Sequence, residues 1–238
     1  MDAPDSGVVV SRPACRGAPS VASVADPGPG SRSAAANPLR GLASDAASVS
    51  DLVGSIDGPV VLVAHSYGGA VISNVDPDAG DIVGLVYVNG FAPAPGESCF
   101  ALSTMFPGST LADALQAVKR HDGLTDLSID PERFHQTFGA DVDAETAALM
   151  AATQRPATQE ALTEPSGGRP LWKEVPSWFV IGEEDLVIPA PLHHFMAERA
   201  GARGVTSLRG ASHAAAVSRP DATVETILEA AALVRAAV

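Results

Sequence analysis

Residues 58–73 have the sequence GPVVLVAHSYGGAVIS. Within this stretch a five-residue apolar run ends at a His-Ser-Tyr-Gly-Gly turn, and small residues follow it. The pattern predicts a buried strand, a tight turn and a helix, with Ser66 at the apex of the turn. A serine in such a turn sits on strained backbone, so its neighbours must be small where the two backbones approach. Ala64 and Gly68 meet that requirement.

This turn makes Ser66 the candidate catalytic nucleophile. The usual motif is Gly-x-Ser-x-Gly, and Ala64 stands where the first glycine is normally found. A serine hydroxyl needs a base to accept its proton during attack. The backbone N–H of the next residue, Tyr67, is the expected donor to the oxyanion that forms. Taken alone, the motif also fits a glycine-rich turn in any parallel sheet.

An acidic cluster follows a second predicted strand. Residues 176–182 (PSWFVIG) form a short apolar run, and Glu183, Glu184 and Asp185 come directly after it. In open α/β sheets, functional sites gather at the carboxyl ends of the strands. We therefore expect the acid of a catalytic triad at this point. Asp185 is the preferred residue, and Glu183 and Glu184 are close enough in sequence to compete for the role.

The candidate base is His213. Residues 204–210 (GVTSLRG) predict a last strand and a helix is predicted from about Asp221, so His213 lies in the loop between them. The chain order is therefore Ser66, Asp185, His213, which differs from the orders of the chymotrypsin and subtilisin groups. In such a triad His213 would take the serine proton. Asp185 would fix the tautomer of His213 and stabilise the imidazolium.

The other five histidines are expected to play supporting or surface roles, because none has a triad position in the predicted elements. His65 is expected to point away from the nucleophile and to pack in the core. The remaining four lie on predicted helices or loops, and they are His121, His135, His193 and His194.

From Asn37 to the C-terminus the chain resembles the small bacterial α/β-hydrolases of the esterase and hydroxynitrile-lyase branch. The resemblance is carried by residues 37–41 (NPLRG), the Ser66 turn, residues 85–93 (LVYVNGFAP) and the Ser-His pair that ends at His213. It implies an α/β-hydrolase fold, with a mostly parallel sheet, helices on both faces and an inserted helical cap. It also implies a Ser-His-Asp hydrolase of small carboxylic esters that uses neither a metal nor an organic cofactor. In this branch the triad acid aligns with Asp185.

Two positions distinguish the related activities of this fold: the apex of the turn and the residue after the histidine. Dehalogenases and epoxide hydrolases of this fold use an aspartate at the apex, and the hydroxynitrile lyases of the branch carry a lysine after the histidine. This chain has Ser66 and Ala214 at those positions. A cofactor-free perhydrolase would share the whole triad. The alternative from a different class is a catalytically weak or inactive homologue that binds a small molecule or a partner through the pocket.

The alternative is supported by the first 36 residues, which depart from the family pattern. Relatives begin with an apolar strand, a His-Gly loop that supplies the second oxyanion amide, and an amphipathic helix. Residues 7–10 (GVVV) predict the strand, which would put Ser-Arg-Pro at 11–13 in place of the loop. Pro13 has no amide hydrogen to donate. Residues 17–30 predict loop or disorder, because prolines and glycines interrupt any helix. Genuine divergence and a local shift of reading frame would both give this pattern.

The organisation predicted from these patterns has three parts. Residues 1–36 are an atypical N-terminal segment, and residues 37–95 together with 171–238 form the α/β-hydrolase core. Residues 96–170, here called the inserted segment, are polar and helix-rich and predict a helical cap. Helices are expected within it at 111–118 and 144–150.

Composition narrows the classes of function. A chain of 238 residues with 46% hydrophobic residues can bury one sizeable core. The net charge of −13, with 15 scattered Lys and Arg, argues against nucleic acid or an anionic membrane as partner. Two cysteines are too few for a disulfide framework, and no Cys/His spacing suits zinc. No signal sequence or membrane span is evident, so a cytoplasmic location is expected. The small ester substrate is what the family resemblance implies.

Overall fold

The computed structural model describes residues 8–11 and 32–235. Their strands are β1 (Val8–Ser11), β2 (Arg32–Ala35), β3 (Val60–Ser66), β4 (Ile82–Gly90), β5 (Leu115–Lys119), β6 (Thr125–Ile129), β7 (Ala157–Thr158), β8 (Ser177–Gly182) and β9 (Gly204–Leu208). Their α-helices are α1 (Leu42–Gly54), α2 (Tyr67–Ser73), α3 (Cys99–Ser103), α4 (Leu111–Ala114), α5 (Pro131–Phe138), α6 (Ala144–Thr153), α7 (Gln159–Thr163), α8 (Ala190–Arg199), α9 (Ala215–Ser218) and α10 (Pro220–Arg235). A 3₁₀ turn spans Leu171–Lys173.

Six of these strands form one mostly parallel sheet, in the order β2-β1-β3-β4-β8-β9. The pairs β3–β4, β4–β8 and β8–β9 are parallel, so the carboxyl ends of these four strands lie at the same edge. Strand β1 is antiparallel to both of its neighbours, and β2 therefore runs in the same direction as β3. The predicted fold class, a mostly parallel α/β sheet, is confirmed.

The two faces of the sheet are covered by different helices. Along β3, Leu62 and Ala64 pack in the larger core with α1, α2 and α8, whereas Val61 and Val63 face α10 on the other side. Side chains alternate between the faces of a strand, so a continuous apolar run such as β3 is what a strand buried on both faces requires. Within the described part of the chain, no helix is both long and apolar enough to cross a membrane.

The direction of β1 overturns one expectation. A strand forms where residues 7–10 predicted it, but Val8 lies opposite Ala64 and Ser11 lies opposite Val61. Ser11 is therefore at the end of the sheet remote from Ser66, and not at the place predicted for the oxyanion loop. The rest of that predicted loop, and the loop predicted for residues 17–30, lie outside the described residues.

The inserted segment is mixed rather than purely helical. It contains α3 to α7, and it also contains a three-stranded antiparallel sheet in the order β5-β6-β7. The helix predicted over 111–118 was wrong beyond Ala114, because residues from Leu115 onward pair with β6 instead, with Leu115 opposite Ile129. Cross-strand pairing outweighs the helix propensity of the Leu, Gln and Ala residues there. The helix predicted at 144–150 is present as α6.

Candidate active site

Ser66 is the last residue of β3 and lies immediately before α2. Its backbone has φ 55° and ψ −126°, a positive-φ conformation that a non-glycine residue adopts at a cost. The turn is held against β4, since the N–H of Phe91 donates to the carbonyl of Ser66 at 3.1 Å. The close approach explains the glycine that follows the motif: a Cβ at Gly69 would lie 2.4 Å from the Phe91 carbonyl oxygen.

The structure brings the three predicted triad residues together. The Oγ of Ser66 lies 2.9 Å from Nε2 of His213, and Nδ1 of His213 lies 2.7 Å from Oδ2 of Asp185. Asp185 and His213 are buried, with 3% and 0% of their surface exposed, whereas Ser66 is half-buried. The serine is therefore the exposed end of a hydrogen-bonded chain whose other two members are shielded from water.

Asp185 is held as a carboxylate by five donors. Its Oδ1 accepts hydrogen bonds from the backbone N–H groups of Val187 and Ile188, at 2.8 and 2.9 Å. Its Oδ2 accepts from Nδ2 of Asn89 at 2.7 Å, in addition to its contacts with two histidines. Burial acts to raise the pKa of Asp185, but its interactions with His213 and His193 outweigh burial and place the pKa well below its usual value.

His65 lies against the candidate base, contrary to the expectation that it would point away into the core. Its Nε2 donates to the backbone carbonyl of His213 at 2.9 Å, and the two rings are 4.6 Å apart between centroids. Burial, followed by repulsion from His213, lowers the pKa of His65 to about 3. His65 is therefore neutral near neutral pH, and its hydrogen bond stabilises the loop that carries His213.

The inserted segment contacts the same loop through the end of α5. The carbonyl of Phe138 accepts hydrogen bonds from the N–H of Ala214 at 3.0 Å and from Oγ of Ser212 at 3.1 Å. The Phe138 ring meets the His213 ring almost perpendicularly, with 4.7 Å between centroids. Oδ1 of Asp141 accepts from the N–H of Ser212. The loop with the candidate base is thus fixed from the core and from the inserted segment.

Tyr67 begins α2 directly after the nucleophile. The first N–H groups of an α-helix have no acceptor within the helix, and the Tyr67 N–H is one of them. The Tyr67 side chain is buried, and its hydroxyl donates to Oδ2 of Asp45 at 2.9 Å. Burial, reinforced by the Asp45 charge, raises the pKa of the Tyr67 phenol far above its usual value. The neutral phenol thus holds the start of α2 against α1 through its hydrogen bond to Asp45.

The two glutamates that competed for the acid role are placed elsewhere. Oε1 of Glu183 contacts Nε2 of His194 at 3.0 Å, and Glu184 is exposed. His213 instead contacts Asp185. Within residues 8–11 and 32–235, no group of three or more His, Cys, Asp or Glu side chains is arranged to hold a metal ion.

Comparison with known proteins identifies the family of this chain. The Alpha/beta hydrolase family profile matches residues 3–226. The chain belongs to the Alpha/beta hydrolase family. A pyrethroid hydrolase of Sphingobium wenxiniae is 30% identical over 193 residues, which is 76% of this chain and 66% of that protein. The chain thus spans slightly less than two thirds of the length of this curated relative.

Solved alpha/beta hydrolase structures share the fold. Polyneuridine aldehyde esterase superposes with a TM-score of 0.66 at 18% identity, over 81% of this chain and 80% of that one. A pyrethroid hydrolase gives 0.64 at 24% identity, over 80% and 78% of the two chains. A methylesterase from Arabidopsis gives 0.63 at 16% identity, over 83% and 80%.

Sequence reasoning assigned no specific contact to two residues that touch Asp185 in this alpha/beta hydrolase. Asn89 sits at the carboxyl end of β4 with φ 43°, and it donates to Asp185 at 2.7 Å and to the Ser212 carbonyl at 3.4 Å. A signal for Asn89 was available, because β4 lies between the two strands that end at Ser66 and before Asp185, and polar residues at that edge converge. His193, on α8, had no comparable signal.

Proposed function

We propose that this protein is a serine hydrolase that cleaves a small carboxylic ester through an acyl-enzyme. The observation that carries the proposal is the hydrogen-bonded chain from Ser66 through His213 to Asp185, built on a strained strand-to-helix turn. Further support comes from the family and from a relative named as a pyrethroid hydrolase.

In the proposed acylation step, Oγ of Ser66 attacks the ester carbonyl carbon while its proton moves to Nε2 of His213. His213 is in the right tautomer for this, because a carboxylate only accepts hydrogen bonds and Asp185 therefore keeps a proton on Nδ1. The proton taken from Ser66 then passes from Nε2 to the leaving alkoxide. The ester C–O bond breaks, and the acyl group remains on Ser66.

Deacylation repeats the same transfers with water. His213 removes a proton from a water molecule as its oxygen attacks the acyl carbon, and the bond to Ser66 breaks with return of that proton to Oγ. The products are the carboxylic acid and the free enzyme. Asp185 remains ionised throughout, since its lowered pKa keeps it a carboxylate at neutral pH and it stabilises the imidazolium in both steps.

Among the residues that the structure describes, the Tyr67 N–H is the one donor that we assign to the developing oxyanion. An oxyanion donor must come within about 3 Å of the oxygen. Ser11 is at the far end of the sheet, and the chain leaving β2 at Ala35 is two strands from β3, which is about 9–10 Å at the usual strand spacing. The proposal therefore includes an impaired oxyanion hole and a slow enzyme.

The lack of a second oxyanion donor among the described residues favours the second candidate, which is a homologue that binds a small molecule through the pocket without turnover. The two candidates differ in what Ser66 does. The hydrogen bond from Ser66 to His213 favours the hydrolase over the binding protein. Catalysis needs an acceptor for the serine proton, and binding alone does not.

The test is hydrolysis of a series of p-nitrophenyl esters of increasing acyl length by wild type, Ser66→Ala and Ser48→Ala. Ser48 is an exposed serine on α1 that donates to its own helix, so its variant controls for the substitution itself. The proposal expects turnover by wild type and Ser48→Ala and its loss in Ser66→Ala. Turnover that survives in Ser66→Ala, or a wild type that binds esters without cleaving them, overturns it.

A further inference from the structure

His193 makes a second histidine contact with the candidate triad acid. It lies in α8, fully buried, and its Nε2 is 3.1 Å from Oδ2 of Asp185. The same oxygen accepts from Nδ1 of His213 at 2.7 Å. One carboxylate oxygen is thus shared by two imidazoles that come from different parts of the chain.

The protonation state of His193 follows from its surroundings. Burial lowers the pKa of His193, and the hydrogen bond to Asp185 only partly opposes that effect. A neutral imidazole carries one proton, and a carboxylate oxygen accepts but does not donate, so that proton is on Nε2. Nδ1 of His193 is then a bare acceptor, and it has no hydrogen-bond partner within the described residues.

An unpartnered nitrogen at a fully buried position has a cost. A buried polar atom without a hydrogen bond typically costs about 1–3 kcal/mol, and an apolar side chain of similar shape would avoid that cost. Stability alone therefore gives no reason for a histidine here. The other nitrogen of the ring is the group that makes a contact, and the contact is with Asp185.

We propose that His193 is a positioning residue: its Nε2–H directs Oδ2 of Asp185 toward His213 and keeps the carboxylate ionised while His213 accepts the serine proton. This inference rests on the proposed function, since it assigns a role within the same triad. A neutral donor suits the role, because it stabilises the carboxylate without a second positive charge that would oppose the imidazolium of His213.

Several titratable groups of the described residues surround His193. Those that interact with it electrostatically come from the loop after β8, the end of β3, the loop after β9 and its own helix, and they are Asp185, Glu183, His65, His213 and His194. Of these, Asp185 is the one within hydrogen-bond distance of Nε2. Removing the donor therefore acts first on Asp185, and through it on His213.

The test compares three variants of the full-length chain. His193→Leu removes the donor and fills the volume. His193→Gln keeps an N–H at similar reach. His194→Leu makes the same change at the next residue, whose side chain is exposed and contacts Glu183 instead of the triad. Each variant is measured for kcat and KM on one chromogenic ester, with active sites counted by fluorophosphonate titration so that only folded enzyme contributes.

The expected result is a fall in kcat of ten-fold or more in His193→Leu, with KM changed less than two-fold. Its pH profile should also move: a carboxylate with fewer donors attracts the imidazolium more strongly, so the acid limb of kcat/KM shifts to higher pH. His193→Gln should retain at least a third of wild-type kcat, and His194→Leu should match wild type. A kcat within two-fold of wild type in His193→Leu, or equal losses in the Leu and Gln variants, overturns the inference.

A second measurement keeps this test separate from that of the proposed function. The proton between His213 and Asp185 is expected to give a low-field NMR resonance, and recording that resonance needs no substrate. Its chemical shift should change in His193→Leu and stay close to the wild-type value in His194→Leu. An unchanged resonance in His193→Leu contradicts the positioning role even if the wild type proves to hydrolyse no ester.

Discussion

A Cβ atom at Gly182 would lie 2.4 Å from the carbonyl oxygen of Ser212. Gly182 ends β8, three residues before Asp185, and Ser212 immediately precedes His213. The strand that leads to the candidate acid and the loop that carries the candidate base therefore meet backbone to backbone. No residue other than glycine fits between them without a shift, so Gly182 sets the distance on which the His213–Asp185 hydrogen bond depends.

Gly182→Ala should accordingly lower ester turnover per folded enzyme by ten-fold or more, because displacements of about 1 Å at a catalytic group can cost about 10²-fold. It should also lower the melting temperature. Gly168→Ala is the matched control, since a Cβ there meets no atom within 4 Å. Turnover of Gly182→Ala within two-fold of wild type would mean that the contact does not set the triad geometry.

Activity should rise with pH between about 5 and 8. Only a neutral imidazole accepts the serine proton, and the lowered pKa values of Asp185 and His65 leave these two groups in one protonation state over that range. Burial lowers the pKa of His193 as well. Asp185→Asn should reduce kcat strongly, by about 10³–10⁴-fold if the site behaves as the well-studied serine-protease triad does. The measurement is kcat/KM against pH for both proteins. A flat wild-type profile argues against a histidine base.

His65 should make the fold sensitive to acid. Its folded-state pKa of about 3 lies below the value of about 6.5 for an unfolded histidine, so between these pH values the unfolded chain binds more protons. The stabilisation is fully present above about pH 6.5 and is lost as pH falls toward 3. From pH 6.5 to 4.5, urea unfolding should show wild type losing roughly 2 kcal/mol more than His65→Gln. Equal losses would show that His65 is protonated in the folded state.

Much of the core of the site was predictable because it depends on local signals at strand ends. The apolar run before Ser66 stops at His65, and a pair of glycines follows Tyr67, so the strand, the turn and the helix are each marked. Asp185 and His213 follow shorter runs of the same kind. Parallel strands bring their carboxyl ends to one edge, and this rule alone places the three side chains near each other.

The parts that were missed depend on long-range geometry. A four-residue strand such as β1 alternates identically in either direction, so its sequence carries no information about which way it runs. His193 reaches Asp185 because of how α8 packs on the sheet, and the spacing of eight residues does not encode that rotation. Residues 115–119 have helix-forming composition and become a strand because β6 pairs with them.

The direction of β1 leads to a prediction about rate. Replacing residues 8–36 with a strand, His-Gly loop and helix of the family pattern should supply a second amide to the oxyanion. Loss of one such donor costs about 10²–10³-fold in turnover in a serine protease, so its restoration should raise turnover at least ten-fold on one ester. The Ser66→Ala version of the chimera should be inactive, which shows that any gain uses the same site. Equal turnover in chimera and wild type would show that the oxyanion hole is already complete.

The most direct test of the account is covalent labelling with a fluorophosphonate, followed by peptide mapping by mass spectrometry. A fluorophosphonate reacts with a serine whose proton has an acceptor, and it needs no knowledge of the substrate. The account predicts a single modified peptide with the adduct on Ser66, slower labelling in Asp185→Asn, and no adduct in Ser66→Ala. Folded wild-type protein that stays unmodified, or that carries the adduct on another serine, would contradict the assignment of Ser66 as the nucleophile.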